Sequence, residues 1–150
     1  MADGIEPEVI PDPDLLLCRV HHAQYNFHED RITRAVFQKV NQSVDWSKYS
    51  TPEQTVNRHK KPQDIRAVAC ITAGACRNLG QEVAHVPLGA ADPGGRNDAH
   101  SEIRGVKTGI IQSQLRDAVA KVWFNPGFGE PKSGTTFGLS ATQGDPDAQR

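Results

Sequence analysis

The protein has 150 residues, of which 37% are hydrophobic, 23% are charged and 6% are aromatic. This length fits one domain, and the composition excludes a collagen-like fibre, a wholly disordered chain and a membrane-spanning bundle. The formal net charge is −1, from 17 Lys and Arg against 18 Asp and Glu. That small total conceals an uneven distribution along the chain.

The charge separates into an acidic start and a basic middle. Residues 1–17 carry five acids and no base, residues 18–125 have five more bases than acids, and residues 126–150 sum to −1. A basic domain attracts anions such as nucleotides, RNA or phosphate esters, although its field alone does not choose among them. The acidic start either serves solubility or competes for the basic surface. In the second case, removal of residues 1–13 is expected to tighten anion binding.

Composition also predicts the domain boundaries. Residues 1–13 combine acids with three prolines and are predicted to form an acidic N-terminal arm. Residues 14–125 are predicted to form the folded domain. Residues 126–150 are a tail in which 13 of 25 residues are Gly, Pro, Ser or Thr, a composition typical of linkers.

The sequence predicts a cytoplasmic protein with no membrane association. Its first residues contain neither the basic nor the apolar region of a secretory signal. Three cysteines are an odd number without disulfide spacing, and no C-x-x-C motif supports a zinc ribbon or a thioredoxin-like site. We therefore expect reduced cysteines and no cofactor.

The hydrophobic pattern predicts an α+β domain. Its mixed or antiparallel sheet is expected to carry about three helices on one face, between loose termini. The predicted elements are strands at 14–20, 35–40 and 43–46, a helix from 52 to about 58–60, a strand at 65–71, a helix at 73–80, strands at 81–86 and 98–104, and a helix at 108–122.

Local signals place the starts of two helices. Ser50 is expected to cap the first helix, with Pro52 in its first turn and Glu53 closing a capping box. Thr72 is expected to cap the next helix, and Gly80 to end it in a left-handed conformation.

A long loop between two strands is the first candidate for a functional site. Residues 87–97 exceed the usual connection length, and loops of this length are often functional. Within it, Gly94, Gly95 and Asn97 can turn backbone N–H groups inward, while Arg96 adds positive charge, so the segment is a candidate anion site. Arg104 on the next strand and Lys107 just after it are predicted to contribute to the same anion site.

Two histidines flank this loop. If the flanking strands pair as a hairpin, His85 and His100 can approach each other and act as general base and general acid in metal-independent phosphodiester cleavage, with Glu102 beside His100. The alternative is that His85 faces the core and that His100 is a surface residue paired with Glu102.

A second cluster of histidines lies near the first strand. Cys18, His21, His22 and His28 are four potential ligands of zinc or another transition metal. The spacing lacks a matching distal pair, and Cys18 lies in an apolar strand where a buried thiol is ordinary packing. The sequence leaves a metal site open and commits to none.

The chain resembles a group of short bacterial proteins of unknown function over about two-thirds of its length. That resemblance implies a bacterial cytoplasmic protein and transfers no activity. The residues that carry it are Arg19, His21, Ser43-Val44-Asp45, Thr51-Pro52-Glu53, Leu79-Gly80-Gln81, His85-Val86-Pro87 and Ala99-His100.

A fainter resemblance is to ADP-ribosyltransferases of the arginine–serine–glutamate type. It rests on Arg19 in the first strand and on Ser43-Val44-Asp45 where that family has Ser-Thr-Ser. The resemblance implies an NAD-linked enzyme that uses Arg19. The sequence departs from that family at the glutamates, because its one Glu-x-Glu, at residues 6–8, precedes the arginine strand.

Three functions therefore follow from the sequence. The leading one is a binding or accessory module that recognises a protein partner, a second copy of the chain or an anionic partner such as a nucleotide or nucleic acid. The others are a metal-independent nuclease or phosphoesterase built on His85 and His100, and an ADP-ribosyltransferase-like enzyme built on Arg19. No complete catalytic constellation with strict spacing selects among them.

Overall fold

The computed structural model describes residues 4–129. In that range, eight strands, three α-helices and three short 3₁₀ turns form an α+β domain, which confirms the predicted fold class. The strands are β1 (Leu15–His21), β2 (Tyr25–Asn26), β3 (Arg31–Ile32), β4 (Asn41–Trp46), β5 (Ile65–Thr72), β6 (Glu82–His85), β7 (His100–Arg104) and β8 (Lys121–Phe124). The helices are α1 (Pro52–Asn57), α2 (Ala73–Asn78) and α3 (Gly109–Asp117), and the 3₁₀ turns are His22–Gln24, Arg34–Phe37 and Pro62–Asp64.

Six of the strands form one antiparallel sheet in the order β6-β7-β4-β1-β5-β8, and β2 and β3 pair separately. β1 and β5 are central and pair over most of their length. These are the two strands with the longest apolar runs, as expected for strands that are buried in a sheet.

The sheet has two unlike faces, because successive side chains of a strand point in opposite directions. One face carries the larger core, to which α2 contributes Cys76 and α3 contributes Leu115. The other face carries a smaller cluster, in which Val56 of α1 packs near Leu17 and Val68. The helices are therefore divided between the two faces, where the sequence predicted a single covered face.

Three local predictions differ from the structure. Residues 34–37 form a 3₁₀ turn that buries Val36 and Phe37, not the predicted strand, because a short apolar run does not distinguish the two. The N-cap of α1 is Thr51 with Gln54 closing the capping box, one residue later than predicted, which places Pro52 at the first helical position. The predicted helix 108–122 ends near Asp117, and Lys121–Phe124 instead forms β8 on the edge of β5.

Other local predictions are confirmed. Thr72 caps α2, and Gly80 follows that helix with a φ of +81°, a conformation that favours glycine. The strands β6 and β7 pair as a hairpin around the long loop.

Residues 4–13 of the predicted acidic arm, together with Asp14, pack against the domain. Ile10 is 1% exposed in the main core, and the carboxylate of Asp14 accepts a hydrogen bond from Nε1 of Trp46 at 3.0 Å. Asp12 forms an ion pair with Arg77 at 2.6 Å. At the other end of the chain, the predicted tail is described only to Gly129, whose backbone N–H donates to the carbonyl of Gln63; residues 130–150 lie outside the described residues.

The structure also shows the character of the helices and the state of the three cysteines. No helix within residues 4–129 has the length and apolar character needed to cross a membrane. Cys18, Cys70 and Cys76 are free and buried, and burial raises the pKa of each thiol. None of the three is therefore poised as a thiolate nucleophile.

The packing of the N-terminal segment gives a direct test. Ile10→Ala is expected to lower the free energy of unfolding by about 2–5 kcal/mol, because it opens a cavity in the core. The neighbouring Val9 is 87% exposed, so Val9→Ala is the matched control and should change stability by less than about 0.5 kcal/mol. Urea denaturation of both variants measures the difference, and equal effects would show that the segment does not dock.

Candidate functional site

A cavity lies where β1 and β4 separate on the α1 side of the sheet. The two strands pair only at Leu16–Trp46 and Leu17–Asp45, and the residues two positions further along, Arg19 and Ser43, line the cavity. Its volume is about 220 Å³, enough for a small molecule. Its walls come from β1, β4, α1, the long loop and β7. The lining residues are Leu17, Arg19, Ser43, Val44, Asp45, Thr55, Arg58, Leu88, Gly94, Gly95, Asn97 and His100.

Arg19 is the cation of this cavity that lacks an acidic partner. Its Nε donates to the carbonyl of Thr55 at 2.7 Å, and within residues 4–129 its two terminal amino groups contact no hydrogen-bond acceptor. Burial lowers the pKa of the guanidinium, and the carboxylate of Asp45 partly offsets this effect. Arg19 is therefore a half-buried cation in the cavity wall, and its four terminal N–H donors have no hydrogen-bond acceptor among residues 4–129.

Asp45 holds the walls of the cavity together. One carboxylate oxygen accepts hydrogen bonds from the hydroxyl of Thr55 at 2.8 Å and from the guanidinium of Arg58 at 2.7 Å. The other oxygen accepts from the side-chain amide of Asn97 at 3.0 Å. The carboxylate is 5% exposed, so these three donors replace its water. Asp45 thus connects β4, α1 and the long loop, and it neutralises Arg58.

Ser43 and His100 form a polar pair at the rim. The backbone carbonyl of Val86 lies 2.9 Å from Nδ1 of His100, and the hydroxyl of Ser43 lies 3.3 Å from Nε2. A carbonyl can only accept, so Nδ1 carries the proton of the neutral ring and Nε2 accepts from Ser43. The ring is thereby fixed with its lone pair directed at the serine hydroxyl.

The long loop, residues 87–97, forms one wall of the cavity. Leu88 and Asn97 form a bridge that extends the β6–β7 hairpin beyond its strands. Beyond this bridge, the N–H of Gly95 donates to the carbonyl of Asp92, and Gly95 adopts a φ of +80°. This tight turn brings Gly94 and Gly95 to the cavity, in a segment that the sequence predicted to bind an anion.

A second cavity lies next to the first along β1. It has a volume of about 260 Å³ and shares Arg19 and Ser43 with its neighbour. His21, Lys39 and His59 add basic groups to its wall. Arg19 therefore lies between two adjacent cavities.

The expected approach of His85 and His100 does not occur. His85 pairs across the hairpin with Ser101 and faces the main core, whereas His100 pairs with Asp45 on the opposite face. Nδ1 of His85 accepts the backbone N–H of Glu8 at 3.0 Å, and Nε2 donates to the carbonyl of Asp98 at 2.7 Å. The ring is 5% exposed, so neither nitrogen is available to a substrate.

The other predicted anion-site residues separate into two groups. Gly94, Gly95 and Asn97 line the cavity with His100. The remaining residues have structural partners elsewhere: Arg96 pairs with Asp98, Arg104 pairs with Glu102 and Glu82, and Nζ of Lys107 donates to the carbonyls of Val40, Ile103 and Gly105.

Of the candidate metal ligands, only the rings of His21 and His22 lie close together, with centroids 4.1 Å apart. Cys18 points into the core, whereas His21 faces the second cavity and His28 lies on an exposed turn. Among residues 4–129, no group of three or more His, Cys, Asp or Glu side chains has the arrangement to hold a metal ion.

Sequence reasoning missed Thr55 and Arg58. Both lie on or just after α1, in which the sequence pattern indicated no site residue. A signal was present in the alternation of β1, where Leu15, Leu17 and Arg19 share one face and Arg19 interrupts an otherwise apolar row. The resemblances drew attention to Arg19, Ser43 and Asp45, but neither predicted a shared cavity.

Comparison with known proteins adds no function to this geometry. The chain matches no protein-family model, no curated protein and no solved structure.

The cavity contains two of the residues that carry the ADP-ribosyltransferase resemblance. Arg19 and Ser43 both line it. The carboxylate in its wall is Asp45, and both oxygens of Asp45 are engaged by protein donors. Among the described residues no glutamate lines the cavity, so the site offers no unengaged carboxylate to activate a ribose hydroxyl.

The role of Asp45 can be tested by Asp45→Asn. We expect a loss of about 1–3 kcal/mol in the free energy of unfolding, because a buried acceptor of three hydrogen bonds loses its charge and half of its acceptor groups. Hydrogen exchange of the amides at 88–97 should also accelerate, since Asn97 loses its anchor. Asp117→Asn is the control, because Asp117 is 66% exposed beside Arg116 and should have little effect. Equal destabilisation by both variants would contradict the role of Asp45.

Proposed function

We propose that the protein binds a small phosphate-bearing anion in the cavity between β1, β4 and α1, with Arg19 as the anchor. The observation that carries this proposal is the half-buried guanidinium of Arg19 in the cavity wall. Its Nε donates to the Thr55 carbonyl, and its terminal amino groups have no acceptor among residues 4–129. A planar guanidinium with two such groups matches the oxygen spacing of a phosphate and binds it with two hydrogen bonds.

The charge of the site supports an anion. Two guanidiniums and one carboxylate line the cavity, and the carboxylate of Asp45 is paired with Arg58 at 2.7 Å. The remaining positive charge belongs to Arg19. Burial lowers the pKa of its guanidinium. A bound anion would offset that burial cost, so the charge of Arg19 favours anion binding in the cavity.

The shape of the site favours a small molecule over a protein or nucleic acid. The two adjacent cavities have volumes of about 220 and 260 Å³, and α1 and the long loop contribute walls to the first. The basic groups of the second cavity, Lys39, His21 and His59, suit a ligand with more polar groups than one phosphate. The expected anionic partner is therefore a phosphorylated metabolite or mononucleotide, and not an extended strand of RNA.

Titration with inorganic phosphate tests the proposal. Wild-type protein is expected to bind phosphate, and Arg19→Gln should weaken binding about tenfold or more, because charge-assisted hydrogen bonds contribute about 1.5–3 kcal/mol. Arg19→Lys should bind with intermediate affinity, since it keeps the charge but loses the planar fork. Calorimetry or amide chemical shifts in β1 and β4 measure the affinity.

Arg116→Gln provides the matched control for that titration. It removes the same charge from α3, which packs on the opposite face of the sheet, where Arg116 pairs with Asp117. Phosphate affinity should be unchanged in this variant. Equal affinities of Arg19→Gln and wild type would overturn the proposed site, as would an equal loss in Arg116→Gln.

A further inference from the structure

Ser43 and His100 have the geometry of a nucleophile and its base. Nδ1 of His100 donates to the carbonyl of Val86, which leaves the lone pair of Nε2 facing the Ser43 hydroxyl at 3.3 Å. A base that is oriented by a third group and contacts a hydroxyl is the common arrangement of activated serines, and the contact is often longer without a substrate. Both residues lie on paired strands, β4 and β7, which hold the two side chains on one face.

We propose that Ser43 and His100 make this protein a phosphomonoesterase, with Ser43 as the nucleophile and His100 as the general base. The proposal rests on the proposed function, because the phosphate held by Arg19 is the group that reacts. Arg19, Ser43 and His100 line one cavity, so a phosphate on the guanidinium lies beside the hydroxyl.

The available donors favour a phosphate ester over a carboxylic ester. Cleavage of a carboxylic ester develops charge on a single oxygen, which enzymes commonly stabilise with oriented backbone N–H groups. In this cavity the N–H of Gly95 already donates to Asp92, and the amide of Asn97 already donates to Asp45. The donors that remain on Arg19 are those of a cation, which suits the charge that a phosphoryl group spreads over its three outer oxygens.

The surrounding charges leave the His100–Ser43 pair undisturbed. Glu102 lies directly opposite Ser43 in the sheet, but its carboxylate accepts a hydrogen bond from Arg104 at 2.8 Å. Asp45, opposite His100, is engaged by Thr55, Arg58 and Asn97. Neither carboxylate therefore competes with Ser43 for the imidazole.

The reaction balances in two steps with water as the only co-reactant. In the first, Oγ of Ser43 attacks phosphorus, its proton moves to Nε2 of His100, and the bond from phosphorus to the ester oxygen breaks. The alcohol departs on the side of phosphorus opposite Ser43 and takes its proton from water, His100 releases its proton to solvent, and Ser43 carries the phosphoryl group. In the second, water attacks phosphorus from the side that the alcohol left and loses its proton to solvent, and the released Ser43 oxygen takes a proton from solvent through His100, which leaves inorganic phosphate.

Hydrolysis of p-nitrophenyl phosphate by the full chain tests this reaction. Wild-type protein is expected to release p-nitrophenolate, and acid-quenched protein should show the added mass of one phosphoryl group on the peptide that contains Ser43. Ser43→Ala and His100→Gln should each lower the rate about 100-fold or more, the usual contribution of general base catalysis. The matched controls are Ser47→Ala and His28→Gln, two exposed positions outside the cavity, which should keep the wild-type rate.

Phosphate titration and thermal unfolding of the same proteins separate the possible failures. Folded wild-type protein that binds phosphate through Arg19 but releases no p-nitrophenolate would overturn the catalytic proposal and leave the binding proposal standing. A wild-type rate in folded Ser43→Ala or His100→Gln would also overturn it. Protein that neither binds phosphate nor releases p-nitrophenolate would overturn both proposals.

Discussion

The buried carboxylate of Asp45 is the interaction on which the candidate site depends. A carboxylate that is 5% exposed is costly unless several donors replace its water, and Thr55, Arg58 and Asn97 supply them. Each donor comes from a part of the chain that forms no backbone pairing with β4, so the bond to Asp45 is what joins it to that strand. The same contacts determine the charge of the cavity, because Arg58 is neutralised where it stands and Arg19 is left as the cation that faces the ligand.

The alternation of side chains across the sheet explains why some site residues were predicted and others were not. His85 and His100 flank one hairpin, and the sequence predicts that hairpin correctly. The pairing of His85 with Ser101 places the two rings on opposite faces, whereas a register shifted by one residue would place them on the same face. That register depends on the geometry of residues 86–99, which includes the Leu88–Asn97 bridge. Composition and periodicity do not determine such a contact.

Elements that depend on a partner strand were harder to predict than elements with strong local patterns. β1 and β5 are recognisable from their apolar runs, and α2 from its Thr72 cap and Gly80. β8 has four residues and is stabilised by pairing with the edge of β5. Without knowledge of that pairing, the apolar residues at its start fit the helical spacing of α3, which is why the sequence predicted a longer helix. In the same way, Thr55 and Arg58 acquire a role only after α1 packs above β1 and brings them to Asp45.

The acidic N-terminal segment has partners of its own, which changes what its charge implies. Glu8 pairs with Lys48 and also contacts the hydroxyl of Tyr49, and these hydrogen bonds lower the pKa of its carboxyl group. The backbone N–H of Glu8 donates to Nδ1 of His85 on the core face of the sheet, whereas Arg19 lies on the other face. Glu8 and Asp12 therefore pair with Lys48 and Arg77, which do not line the cavity of Arg19. Removal of residues 1–13 would also remove buried Ile10, so a change in anion affinity would follow from altered packing as readily as from lost charge. The positive charge at Arg19 is a property of the local arrangement around Asp45, and the near-zero net charge of the whole chain does not report it.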